Sequence, residues 1–187
     1  MAMFVLGLFL FFSAHFITAL ARGFRQSLTT KLGQSAYKGL YSLISLAGLA
    51  LIIFGWPEAD PSLVYSSPLW LRHVTYALVF VAFVLLTAAY LPAGKIAETA
   101  KHPMLAGVKV WAFAHLLSNG EVRSVMLFGA FLIFAVIDWI VVKRRGAPVR
   151  KAASVKNDFI AVAVGAILYV AVFFYLHHFV AGIALVN

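Results

Sequence analysis

The sequence predicts an all-α, polytopic membrane protein, a bundle of about six transmembrane helices with both termini on the non-cytoplasmic face. Three observations carry that prediction. Of 187 residues, 64% are hydrophobic and only 11% are charged, against about 25% charged in a soluble domain. The apolar residues gather into runs near the roughly 20 residues that a helix needs to cross a ~30 Å hydrocarbon core. The basic residues fall between those runs, on alternate loops. No polar stretch is long enough to fold separately, so the chain reads as one domain over residues 1–187.

The first span is Ala2–Ala21. It lacks the positive start of a signal peptide, and Arg22 and Arg25 follow it instead. It therefore reads as a retained helix with its N-terminus translocated. The second span is Ala36–Trp56 and the third Leu69–Leu91. The fourth, Pro103–Leu117, is short and holds Lys109 and His115, so its neighbours must shield it. The fifth is Glu121–Val142, turned back on the fourth at Asn119-Gly120. The sixth is Asp158–Val180, extending towards Asn187. In this last helix Ala161 and Gly165 form a small-xxx-small pair, a packing signal in membranes.

Basic residues occupy the loops after the first span (Arg22, Arg25, Lys31, Lys38), the third (Lys95, Lys101) and the fifth (Lys143, Arg144, Arg145, Arg150, Lys151, Lys156). The excess of Lys and Arg on cytoplasmic loops places these three inside. Trp56, Tyr65 and Trp70 then fall at the outer interface, and Tyr37 and Trp139 near the inner one, as aromatic belts require. The net charge of +9 is a topology signal on this reading, not a nucleic-acid footprint. The absence of cysteine excludes disulfides, thiolate metal sites and thiol redox chemistry. No Walker loop, GxGxxG, HExxH or GxSxG motif is present.

Polar groups inside a bilayer are costly, and each needs a reason. Of the six histidines, His15 and His115 fall within the hydrocarbon, His102 at the inner interface, and His73, His177 and His178 near the outer surface. Buried imidazoles bond across helices, pass protons, or ligate iron between facing helices. The spacing alone leaves these open. Folding the 4–5 hairpin brings Asp138 and His102 to one depth, so Asp138 pairs either with His102 or with the flanking arginines. Lys109 either snorkels to the inner face or meets a substrate. His73, His177 and His178 are interface residues or an outer-rim metal cluster.

Several segments resemble the NnrU family. They are Lys101-His102-Pro103-Met104-Leu105, Gly107-Val108-Lys109, and Trp111-Ala112-Phe113-Ala114-His115-Leu116-Leu117 with Asn119-Gly120. Lys38–Leu43, Ser45–Gly48, Trp70–His73, Ala89–Pro92 and the run from Phe128 through Asp138 to Arg145 also fit. The resemblance covers nearly the whole chain and is least diagnostic beyond about Ala147. It implies an association with nitrite and nitric oxide metabolism in a bacterial inner membrane. The family is similar to 15-cis-ζ-carotene isomerase, a haem b enzyme with an Arg-His-Pro start and an Ala-His end. The matching positions are His102 and His115, and a histidine of its first matching helix corresponds to His15. The resemblance thus implies haem b with His15 and His115 as axial ligands. Where the isomerase has a cysteine, this chain has Ala112, which weighs against carotenoid isomerisation. A more distant resemblance is to isoprenylcysteine carboxyl methyltransferases, whose cofactor is held in part by a cytoplasmic C-terminal segment.

The expected cofactor-binding set is His15, His115, His102, Lys109, Trp111 and Asp138, with His15 and His115 on the metal. The leading expectation is a haem-b-binding membrane protein with a redox or sensing role in denitrification, in contact with lipid and with a redox or denitrification partner. The alternatives are a membrane enzyme acting on a lipid or isoprenoid through His102, Asp138 and Lys109, and a transporter or assembly factor.

Overall fold

A computed structural model describes residues 1–181. Its contacts divide the chain into two compact units, Met1–Pro61 and Ser62–Asn187.

In the first unit, α1 (Ala2–Leu20) packs along α3 (Gln34–Gly55), with α2 (Arg22–Leu32) between them in sequence. Glycine makes this packing close. A Cβ at Gly7 would stand 2.6 Å from the Ile52 nitrogen, one at Gly48 2.7 Å from the Phe11 nitrogen, and one at Gly55 2.5 Å from the Phe4 nitrogen. Lipid tails are as apolar as leucine, so helices in a bilayer associate through backbone approach and dispersion, which small residues permit. The basic segment after the first span is itself helical. It buries none of its residues and exposes Phe24 and Leu32 among its charges, the composition of a helix lying at an interface.

In the second unit, α4 (Leu71–Tyr90) packs against both α6 (Pro103–Ser118) and α8 (Lys156–Ala171), and α6 also packs against α7 (Val122–Arg144). The short α5 (Lys95–Ala100) precedes α6. A π-helical turn, Val172–Leu176, joins α8 to α9 (His177–Ala181). Small residues again fill the contacts: Ala82 and Ala112 are 0% exposed, and a Cβ at Gly165 would lie 2.9 Å from the Val84 Cα. The large apolar residues point outward instead, with Phe54 71% and Phe159 73% exposed. Water would not tolerate that surface, whereas lipid favours it.

Among the described residues, five helical stretches are long and apolar enough to cross a membrane: α1, α3, α4, α7 and the continuous Lys156–Phe179. The chain is a multi-pass, all-α membrane protein. The fourth predicted span is a helix at the expected place, but its 16 residues rise only about 24 Å, short of a ~30 Å core. Its polar content therefore sits within reach of both ends.

Two loops of the second unit interlock at one end. The Arg150 guanidinium donates to the carbonyls of Leu91 and Ala88, both at 2.9 Å, satisfying acceptors that the end of α4 leaves open. The Asp158 carboxylate accepts from the amides of Lys95 at 2.8 Å and Ile96 at 2.9 Å, capping α5 from a distant part of the chain. It occupies the space a side chain at Gly94 would need. The Ala153 amide also donates to the Ala93 carbonyl. The loops expected to be the third and fifth thus lie on one face, as alternate basic loops must. Beside them, the Lys95 ammonium 2.9 Å from Glu98 holds that carboxyl below its ordinary range. At the opposite end, Val64 donates to the Gly120 carbonyl and Val122 to that of Ser62, closing residues 62–65 over the predicted Asn119-Gly120 turn. Burial pushes the Tyr65 phenol up, and its hydroxyl donates to the Leu116 and Asn119 carbonyls.

Candidate functional site

His115 lies on the last turn of α6, where the chain must both end a helix and hold an imidazole. Its Nδ1 is 2.8 Å from the Trp111 carbonyl, one turn back. A carbonyl only accepts, so Nδ1 carries the proton and Nε2 keeps the lone pair. The ring stacks on Phe128 of α7 at 4.4 Å and 24°, and Trp111 packs on Phe128 and Phe131 at 5.1 and 5.2 Å. Trp111 therefore fixes the imidazole twice, through its carbonyl and through the aromatic group its indole completes. The carbonyls around His115 are satisfied: Thr75 donates to Ala114 at 2.9 Å, and the Asn119 side chain to His115 at 2.9 Å. Ala112, where the isomerase would carry cysteine, is wholly buried.

His15, in the first unit, has the same local arrangement. Its Nδ1 is 2.7 Å from the Phe11 carbonyl, and its ring stacks on Phe11 at 4.1 Å and 25°. Tyr41 of α3 meets it at 5.4 Å. One turn further along α3, the Ser45 hydroxyl is buried with no hydrogen-bond partner among the described residues. Two histidines on different helices thus share one preset tautomer.

The sequence places His115 well inside the hydrocarbon; in the structure it stands in the last turn of the short α6, within a turn of that helix's C-terminal end. His177 directly follows the π-helical turn. Among the described residues, no group of three or more His, Cys, Asp or Glu side chains converges to hold a metal, so the outer-rim cluster of His73, His177 and His178 is not formed. His73 instead meets Tyr76 at 6.3 Å.

In the N-terminal half of α6, His102 and Lys109 approach one indole. The Lys109 ammonium stands 4.2 Å from the centroid of Trp139, and Lys143 stands 5.2 Å from it. His102 lines a pocket with Trp139. Asp138, half-buried and one residue before Trp139, has an interaction of its own and does not line that pocket. The structure therefore brings His102 and Lys109 to Trp139; hairpin counting anticipated His102 at the level of this part of α7, but neither Lys109 nor the aromatic centre.

A family model described as NnrU protein matches residues 3–185. No curated protein and no solved structure matches the chain.

Proposed function

The chain belongs to the NnrU family, and on that premise we propose that it is a haem-b-binding membrane protein serving nitrite and nitric oxide handling, in a redox or sensing role. The single observation that carries the proposal is the setting of His115. Its Nδ1–H is held by the Trp111 carbonyl and its ring by Phe128, which leaves Nε2 as the basic nitrogen. Metal-bound histidines characteristically donate the other ring N–H in this way, which fixes orientation and raises basicity. His15 repeats the arrangement through Phe11. An iron already held by a porphyrin needs only one or two protein ligands, so the donor set fits the group. Each unit by itself holds one candidate ligand, His115 in Ser62–Asn187 and His15 in Met1–Pro61.

Bound haem would supply reversible one-electron chemistry and an affinity for small diatomic ligands. The protein's own part is to keep each imidazole neutral and aimed. Trp111, Phe128 and Phe131 surround His115 with aromatic carbon and limit water there. The buried Ser45 hydroxyl offers an unused hydrogen bond near the His15 side of α3. The basic loops support an orientation with both termini outside.

The test is an optical spectrum of protein purified after expression with ample haem supply. A Soret band is expected, lost in His115→Ala and shifted or lost in His15→Ala, with Phe113→Ala as a lipid-side control that keeps it. Protein that folds but carries no haem under these conditions would overturn the proposal.

A further inference from the structure

Lys101 has a backbone that an L-residue rarely adopts. Its φ is 60° and its ψ −49°, and the His102 amide donates to the Ala100 carbonyl across it at 2.6 Å. This is a γ-turn of the positive-φ kind, a rare and strained geometry. Such strain persists only where the surroundings hold it, and it clusters at ligand clamps. Glycine would relieve it, yet the position holds lysine.

The turn opens on a pocket of about 200 Å³ lined by Lys101, His102, Trp139, Lys143, Ala147 and Val149. Two of the lining side chains carry ammonium groups, a third is an imidazole, and no carboxylate lines it. Lys109 adds a third ammonium on the indole that forms one wall. His102 is also the N-cap of α6, with Pro103 at N1 and no side-chain cap bond, so that helix end adds partial positive charge. Glu98, three residues before Lys101, is paired with Lys95, and Asp138, adjacent to Trp139, has an interaction of its own and does not line the pocket. Like charges gathered around one apolar wall repel unless an anion lies among them.

We propose that this pocket binds a phosphate-bearing anion, held by Lys101, Lys143 and the His102 end of α6, with Trp139 against its apolar part. A pocket this size accepts a phosphate group with a few adjoining carbons. Trp139 and the flanking Ala147 and Val149 suit the glycerol backbone of a phospholipid, while the ammonium groups suit the phosphate itself. The site is at the other end of α6 from His115, twelve residues or about 18 Å along the axis. It stands or falls independently of haem.

Native mass spectrometry of the full chain in non-ionic detergent tests it, with phosphatidylglycerol added and phosphatidylcholine as the comparison. Wild type is expected to retain phosphatidylglycerol in preference. Lys143→Gln and Lys101→Gly should each weaken retention by roughly tenfold, one charge-assisted contact apiece. Lys101→Gly should also keep or raise the melting temperature, because glycine relaxes the turn, so loss of binding there is not loss of fold. Lys31→Gln, on α2, is the control for general attraction between basic residues and anionic lipid. Displacement of the lipid by inorganic phosphate would assign the site to soluble phosphates, and persistence against it to the membrane. Equal retention of the two lipids, or retention unchanged in Lys101→Gly and Lys143→Gln, or lost equally in Lys31→Gln, would overturn the proposal.

Discussion

Replacing Asp158 by alanine should unfasten the end of the second unit where α5 begins, without unfolding it. The carboxylate accepts two amide hydrogen bonds, from Lys95 at 2.8 Å and Ile96 at 2.9 Å. A bond to a charged group contributes about 1.5–3 kcal/mol. Both amides border solvent, so the lower end applies, and the pair contributes about 3 kcal/mol. The α5 helix it caps has six residues, too few to persist alone. Loss of the cap should therefore appear as local opening of residues 94–100. At 1.4 kcal/mol per decade, amide exchange there should quicken by roughly 100-fold. Asp158→Asn keeps one acceptor oxygen and should show about a tenfold effect, half the free energy. Hydrogen–deuterium exchange followed by peptide mass spectrometry reads this directly, with peptides from α7 as the unaffected reference. Exchange at Lys95 and Ile96 that matches wild type in Asp158→Ala would refute the reasoning. It would mean that Ala153 and Asn157, which donate to the Ala93 carbonyl, hold this end without the carboxylate.

Gly48→Leu should destabilise the first unit by about 1–3 kcal/mol, the usual range for overpacking, because a Cβ there meets the Phe11 backbone. Gly39→Leu, on the same helix with nothing within 4 Å, is the matched control. Thermal unfolding in detergent separates the two, and equal melting temperatures would mean that α1 and α3 are not in backbone contact. The orientation is testable because the chain has no cysteine. A membrane-impermeant maleimide should label Ser66→Cys in intact cells but reach Arg145→Cys only after permeabilisation. The opposite pattern would place the basic loops outside.

The spans were legible because a hydrophobic run of helical length has one stable outcome in a bilayer. The first five predicted spans are helices whose ends lie within about half a turn of those expected, and the sixth is the stretch Lys156–Phe179, broken by a π-helical turn. What escaped notice were α2 and α5, which are short and carry no apolar run of spanning length. The cap that starts α5 lies more than sixty residues away at Asp158, a tertiary partner no local pattern reveals. Gly7, Gly48 and Gly55 offered a signal that was overlooked: the last two are seven residues apart, two turns on one face of α3. The tautomers of His15 and His115 could have been foreseen in outline, since any helical residue lies over the carbonyl four residues earlier.

Why should the shortest of the predicted spans be the one that carries His115 and Lys109, with His102 at its N-cap? A helix of full span would bury its middle in hydrocarbon and exclude all three. At about 24 Å, α6 instead keeps polar groups within a few turns of either end. Packing between α4 and α7 shields what remains. Its C-terminal turn holds an imidazole in an aromatic group, and its N-terminal turn opens on lysines around an indole. One short element thus offers two chemically different ends. That division explains a polar helix in a chain otherwise sorted strictly by lipid, because each end meets a demand that the longer spans cannot.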